Sequence, residues 1–266
     1  MSSERAICHA TVIDRDYHVA MADFEDSSLW RISDFERQRA SGQAARDATT
    51  LLPTTLVADL QRLRPRATGD EDVLEVVAAC QRHREAALLY LGCGPRVWPV
   101  TLFPARSLYH SPRAVAEAGP AQALGRLRLL GVEPPGVRPP GDHRHERVAR
   151  ADLYRPLEEL LWALALNGPR HALLGAVPGD ARFRLAAGVD AAALPRGGAI
   201  GPSIARLRAG SAGLRDIAGW PGMSLERAGR LLNGLYLTGS LIVLRHPDAG
   251  RREASSLWWP WLSRRR

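Results

Sequence analysis

Residues 133–152 read EPPGVRPPGDHRHERVARAD, and this run constrains the fold of the chain more than any other. Four prolines and two glycines fall within positions 134–141. Proline fixes φ and removes a backbone donor, so neither a helix interior nor a central strand can pass through such a run. Alternating charges follow. The expectation is a linker or long exposed loop at 134–152, with one folded region at 1–133 and another at 153–266. A connection of that kind is also where a protease cuts first, and Arg138, Arg144 and Arg147 offer trypsin its sites.

The first region opens with AICHATVIDRDYHVAMADF, residues 6–24, where apolar stretches flank the turn-forming Asp14, Arg15 and Asp16. This pattern predicts a β-hairpin. LLPTTLVADLQRLRP (51–65) and DEDVLEVVAACQRHRE (70–85) predict helices. In the second, Val73, Val76, Val77 and Cys80 recur at helical spacing behind Asp70, Glu71 and Asp72, carboxylates that favour the start of the helix dipole. The period then changes. AALLYLG, RVWPVTLF and RSLYH predict successive antiparallel strands, and LGRLRLLGVEP at 124–134 predicts one more. A hairpin, helices and a meander outline a small α/β sandwich with an antiparallel sheet. PAS-like and roadblock-like domains of bacterial sensory and scaffolding proteins share that layout, and the likeness is one of layout alone.

Beyond the seam, LYRPLEELLWALALNG (153–168) predicts an apolar helix stopped by Asn167, Gly168 and Pro169. A short helix is expected around HALLGAV (171–177) and a strand at ARFRLAA (181–187). Helices follow at 200–208 and 212–219, then a turn at Pro221 and Gly222, then a helix capped by Ser224 and running to about Thr238. On a helical wheel Leu225, Ala228, Leu231, Leu232, Leu235 and Tyr236 share one face. Glu226, Arg230, Asn233 and Leu237 share the other, with Arg227 at its edge. A strand at 241–245, a turn HPDAG and a returning strand at 251–257 complete the segment. This order resembles the winged-helix tails of bacterial regulatory proteins, with Leu231, Leu232, Leu235, Gly239 and Leu241 matching their leucine-rich helix end. The expected fold class is thus α+β, an α/β sandwich followed by a mainly helical winged-helix domain.

The resemblance implies a partner surface. Arg227, Arg230 and Asn233 on the third helix, with Arg251 and Arg252 at the wing tip, are suited to base edges and phosphates if that partner is DNA. Other features favour a protein partner. Glu226 stands at the end nearest the phosphates, Leu237 is apolar, Gly229 and Gly234 permit close approach of another backbone, and LIVL at 241–244 is apolar on both strand faces. The tail SLWWPWLSRRR places Trp258, Trp259 and Trp261 beside Arg264, Arg265 and Arg266, a pairing suited to a protein groove or to an anionic membrane surface. Adjacent strand residues point to opposite faces, so Trp258 and Trp259 cannot enter one core together.

Composition narrows the remaining classes. The net charge of +8 favours an anionic partner, yet the chain has no lysine and only two asparagines, the mark of a GC-rich, bacterial coding bias that itself raises arginine. Without lysine there is no Schiff-base or P-loop lysine chemistry. Cys8, Cys80 and Cys93 form no metal or disulfide pattern, which fits a reducing cytoplasm. The first residues lack the apolar core of a signal peptide, and no run is long enough for a membrane span. GPSIA at 201–205 lacks the final glycine of a nucleophile elbow, LGCG at 91–94 leads into a strand rather than a helix, and His143 and His145 lie in the polar seam. No catalytic residue, cofactor or metal is expected. The sequence reading is a non-catalytic, cytoplasmic bacterial regulator or adaptor acting on a protein partner through its winged helix. A DNA-binding regulator and a peripheral membrane protein held by its tail stand as alternatives.

Overall fold

The computed structural model describes residues 29–41, 52–63, 72–117, 121–143 and 145–244. The expected hairpin at 6–24 and everything beyond Leu244, including the wing, Arg251, Arg252 and the tryptophan tail, lie outside the described residues. The protein is a mixed α+β chain with antiparallel sheets. It divides into two compact units, Met1–Pro169 and Arg170–Arg266.

The first unit is built on strands β2 (Ala87–Cys93), β3 (Arg96–Phe103), β4 (Leu108–His110), β5 (Arg128–Glu133) and β6 (Tyr154–Pro156), in the order β5-β2-β3-β4-β6. The short strand β1 (Trp30–Arg31) also pairs with β3. Register explains the apolar run RVWPVTLF. Leu89 pairs with Val100, Leu91 with Trp98 and Leu102 with Tyr109, so one face is a continuous apolar layer, every member of which is buried. The other face carries Tyr90, Val97 and Phe103. Helix α1 (Ile32–Ser41) covers part of it, packing Phe35 on Tyr90 and Val97. At Leu130 β5 bulges, and the Arg39 guanidinium donates to the Leu130 carbonyl at 2.6 Å. A Cβ at Gly131 would fall on Arg39 Nη1, so a side chain there would displace the guanidinium from this place.

Helices α2 (Thr54–Leu63) and α3 (Val73–His83) form as predicted. Asp72 caps α3 by accepting from the Leu74 and Glu75 amides. Asp59 of α2 accepts from Arg82 and bonds His83 Nε2 at 2.9 Å, clasping the two helices together. These bonds hold the Asp59 carboxyl below its ordinary range, against the opposing effect of burial.

The seam is not a linker. Val137 and Ala149 bury themselves with Phe103, the Arg138 amide donates to the Arg147 carbonyl at 2.8 Å, and the Tyr154 hydroxyl donates to the Arg138 carbonyl while accepting from the Ala149 amide. Residues beyond the seam belong to the same unit. β6 pairs with β4, and helix α4 (Leu157–Asn167) packs against both. The division therefore falls after Pro169 rather than within 134–152, and the expectation of a first protease cut in the seam loses its basis. Apolar anchors inside a polar, proline-rich run outweigh its average composition.

In the second unit, strand β7 (Arg182–Leu185), helix α5 (Ile200–Ala209), strand β8 (Ala212–Gly213), helix α6 (Leu214–Ala218), helix α7 (Leu225–Leu237) and strand β9 (Leu241–Leu244) follow in order. The sheet order is β8-β7-β9, all antiparallel. Phe183, Leu207, Ile217, Leu231, Leu232 and Leu235 form a fully buried core. The helix expected around 171–177 is absent: these residues run irregularly, with a turn only at 175–176. Leu174 and Val177 are nevertheless buried.

Candidate functional site

The site expected on α7 begins with its cap. Ser224 Oγ accepts from the Arg227 amide at 3.2 Å, and the Arg227 guanidinium returns to the Gly222 carbonyl at 2.7 Å, fixing the turn that leads into the helix. Arg227 is exposed, as expected. Leu225, placed on the core face by the wheel, is instead 60% exposed at the first position of α7.

The polar stripe of α7 is open only at its start, where Glu226 is exposed. Asn233 is fully buried, and its side chain completes a two-point bond with backbone: Nδ2 donates to the Ala172 carbonyl at 3.0 Å and Oδ1 accepts from the Leu174 amide at 2.9 Å. An asparagine presents one acceptor and two donors, and here it pairs a segment of the chain much as an adenine edge would be paired. Gly229, one turn earlier, lets the backbone come close, since a Cβ there would lie 3.3 Å from the His171 carbonyl. Arg230 is nearly buried, at 11% side-chain exposure. Its Nε donates to Glu226 Oε1 at 3.0 Å and its Nη2 lies 3.1 Å from His171 Nδ1. His171 Nδ1 also lies 2.9 Å from the same Glu226 oxygen. Bonds from His171 and then Arg230 hold the Glu226 carboxyl below its usual range. Arg170 folds back on the same segment, donating to the carbonyls of Ala172 and Leu173.

Thus segment 170–174 buries Asn233 and bonds Arg230, while Glu226 at the start of the stripe stays exposed. Of the three residues on α7 assigned to a DNA or partner surface, the structure leaves Arg227 exposed, folds Arg230 into an ion-paired cluster and buries Asn233. The surface role of Asn233 is corrected: a fully buried amide whose oxygen and one N–H are bonded to the chain's own backbone is not presented to a base edge. The participants that sequence reasoning missed are His171, Ala172 and Leu174. Their signal was Gly229, a glycine in a helix interior that implies an approaching backbone without saying whose.

Besides Leu225, open apolar surface in this unit lies on β9. β9 turns Ile242 and Leu244 outward, at 37% and 43% exposure, and these pair across to the exposed Arg184 and Arg182 of β7. Arg182 donates to the Ser211 carbonyl at 2.6 Å and approaches Asp216 at 3.6 Å. The Arg206 guanidinium of α5 stands 5.3 Å from the ring centre of Trp220, which lies in the turn between α6 and α7.

The reactive groups elsewhere are placed as follows. Ser203 is buried inside α5. Burial pushes the Cys80 thiol up to about 12, while Cys93 is half-exposed. His110, beside the Tyr154 ring at 5.1 Å, keeps a buried Nε2 without a partner among the described residues, and burial, aided by the charge of Arg155, lowers it to about 4. Among the described residues no group of three His, Cys, Asp or Glu side chains is placed to hold a metal ion, and no helix is long and apolar enough to cross a membrane. No family model, curated protein or solved structure matches the chain.

Proposed function

We propose that this chain is a non-catalytic bacterial regulatory or adaptor protein of the cytoplasm, whose second unit is a winged-helix-like module that recognises a protein partner. The order α5, β8, α6, turn, α7, β9 supports the winged-helix layout, with the difference that β7 stands between β8 and β9. The antiparallel sheet of the first unit, with α1 on one face, supports a sensory or scaffolding sandwich.

One observation carries the choice of protein over DNA. The stripe of α7 with the side chains best suited to base edges is bonded to the chain's own residues 171–174, with Asn233 buried. Opening it to DNA would leave the Leu174 amide and the Ala172 carbonyl to find new partners, at about 1–3 kcal/mol for each group left unsatisfied. The test is selection of duplexes from a random-sequence library at physiological salt. This reading predicts weak binding without an enriched sequence. An enriched motif, bound with a steep salt dependence and lost in Arg227→Ala, would overturn it in favour of a DNA-binding regulator.

A further inference from the structure

The face of the first sheet that carries Tyr90, Val97 and Phe103 is covered by α1 at one end and by the seam at the other. His110 of β4 is the register partner of Thr101 on β3 and of Tyr154 on β6, so these side chains share that face with Phe103. The imidazole stands 5.1 Å from the Tyr154 ring, and its Nε2 is buried without a hydrogen-bond partner among the described residues. The Tyr154 hydroxyl holds both arms of the seam: it donates to the Arg138 carbonyl and accepts from the Ala149 amide at 3.0 Å. The arms also meet through the Arg138 amide, which donates to the Arg147 carbonyl at 2.8 Å, and through Val137 and Ala149, which pack with Phe103.

A charged imidazole donates from both nitrogens. Here Nε2 has no acceptor, the cross-strand neighbours Thr101 and Tyr154 bring no carboxylate, and the one charge that bears on the ring, among the described residues, is the like charge of Arg155 on β6. The Tyr154 ring offers its π system, a weaker partner than the water an exposed imidazolium would gain. Charging therefore requires that water reach Nε2. Two sides of the ring are fixed: β4 is bonded to β3 and β6 along its edges, and behind the sheet lies the fully buried layer of Trp98, Leu102 and Tyr109. The seam side is attached by a few bonds that converge on Tyr154. We propose that the seam is an acid-released cover: charging of His110 detaches residues 134–150 from the sheet while the sheet itself stays folded. Release uncovers Phe103, so the first unit presents an apolar surface in acid that it hides at neutral pH. This holds whichever partner the second unit takes.

The experiment is amide hydrogen exchange of the full chain, corrected for the intrinsic rate at each pH, comparing the Arg138 and Ala149 amides with the core amides of β2 and β3. With the ring charging near 4 when covered and near its ordinary 6.5 when released, the released population should rise about twentyfold between pH 7 and pH 5. The two seam amides are expected to exchange faster than the strand amides at each pH, to lose about twentyfold in protection over that interval, and to respond little to low urea, the mark of a local opening. His110→Phe should remove the loss. The parent decides on its own should that variant fail to fold: its His110 ring, followed by NMR, should still be neutral at pH 5. Seam amides that exchange only together with the strand amides place the acid response in global unfolding. The same pH dependence in His110→Phe assigns it to another group, and a ring already charged at pH 6 under a protected seam shows that charge is accommodated without release. Each of these three results overturns the proposal.

Discussion

The two sheets bury their strands differently. In the first unit every residue of β3 from Val97 to Phe103 is buried, so that sheet has covered surface on both sides. In the second unit β7 and β9 alternate, with Phe183 and Leu185 in the core and Arg182, Arg184, Ile242 and Leu244 outside. A strand covered on both faces is expected to read as a nearly continuous apolar run, and one covered on a single face as an alternation. VWPVTLF and RFRL obey this. LIVL does not, since its composition suits a strand covered on both sides and its outer side stands open. That mismatch between a segment and its surroundings sets the outer side of β9 apart, whereas Asn233 on α7 is taken up by the chain's own backbone.

The largest effect expected from this contrast is in the doubly covered sheet. Trp98 is 1% exposed and donates its Nε1 to Ser111 Oγ at 2.7 Å. Trp98→Ala should cost about 3–5 kcal/mol in urea unfolding. A much smaller cost would mean that this face is loosely packed and the contrast overstated.

Next comes pH. His110 titrates near 4 in the folded unit against 6.5 as its ordinary value. Its folded value is the lower one, so folding favours the neutral ring. The stability is fully present above pH 6.5 and is lost as pH falls from there toward 4, by up to roughly 3 kcal/mol. Stability measured across that range should slope downward with acid, and His110→Phe should flatten the slope. Asp59, whose carboxyl is held below 3.8, adds a further loss only at lower pH, as its bonds to His83 and Arg82 are protonated away.

Asn233→Ala removes both bonds to residues 172 and 174 and should destabilise the second unit by about 1–3 kcal/mol, read in denaturant unfolding. At the small end, Ile242→Thr on the open face should change stability by less than about 1 kcal/mol, because little area leaves water there on folding. A cost comparable to that of Trp98→Ala would show the outer face to be covered, and would erase the difference between the sheets.

Much of this was legible before any coordinates. Helical spacing in DEDVLEVVAACQRH located α3, Ser224 located the start of α7, and the change to strand composition after Ala86 located β2 and β3. What escaped were interactions between distant positions. Val137 and Ala149 look like isolated apolar residues in a proline-rich run until Phe103 and Tyr154 are placed beside them. Asn233 looks like a surface amide until the segment 172–174, some sixty residues earlier, arrives on it. A wheel ranks the faces of one helix by polarity, and a buried amide bonded to backbone has the polarity of a surface residue. Gly229 signalled the approach, and only three-dimensional proximity identifies the strap as the chain's own.

The central claim is that Asn233, on the polar stripe of α7, is taken up from within by the chain's own backbone. It is tested most directly by amide hydrogen exchange at Leu174, whose N–H donates to Asn233 Oδ1. The account predicts slow exchange in the full chain, similar to the core amides of α7, unchanged by duplex DNA and accelerated by Asn233→Ala. Rapid exchange at Leu174 in the unbound chain, with protection appearing along α7 when duplex DNA is added, would contradict it.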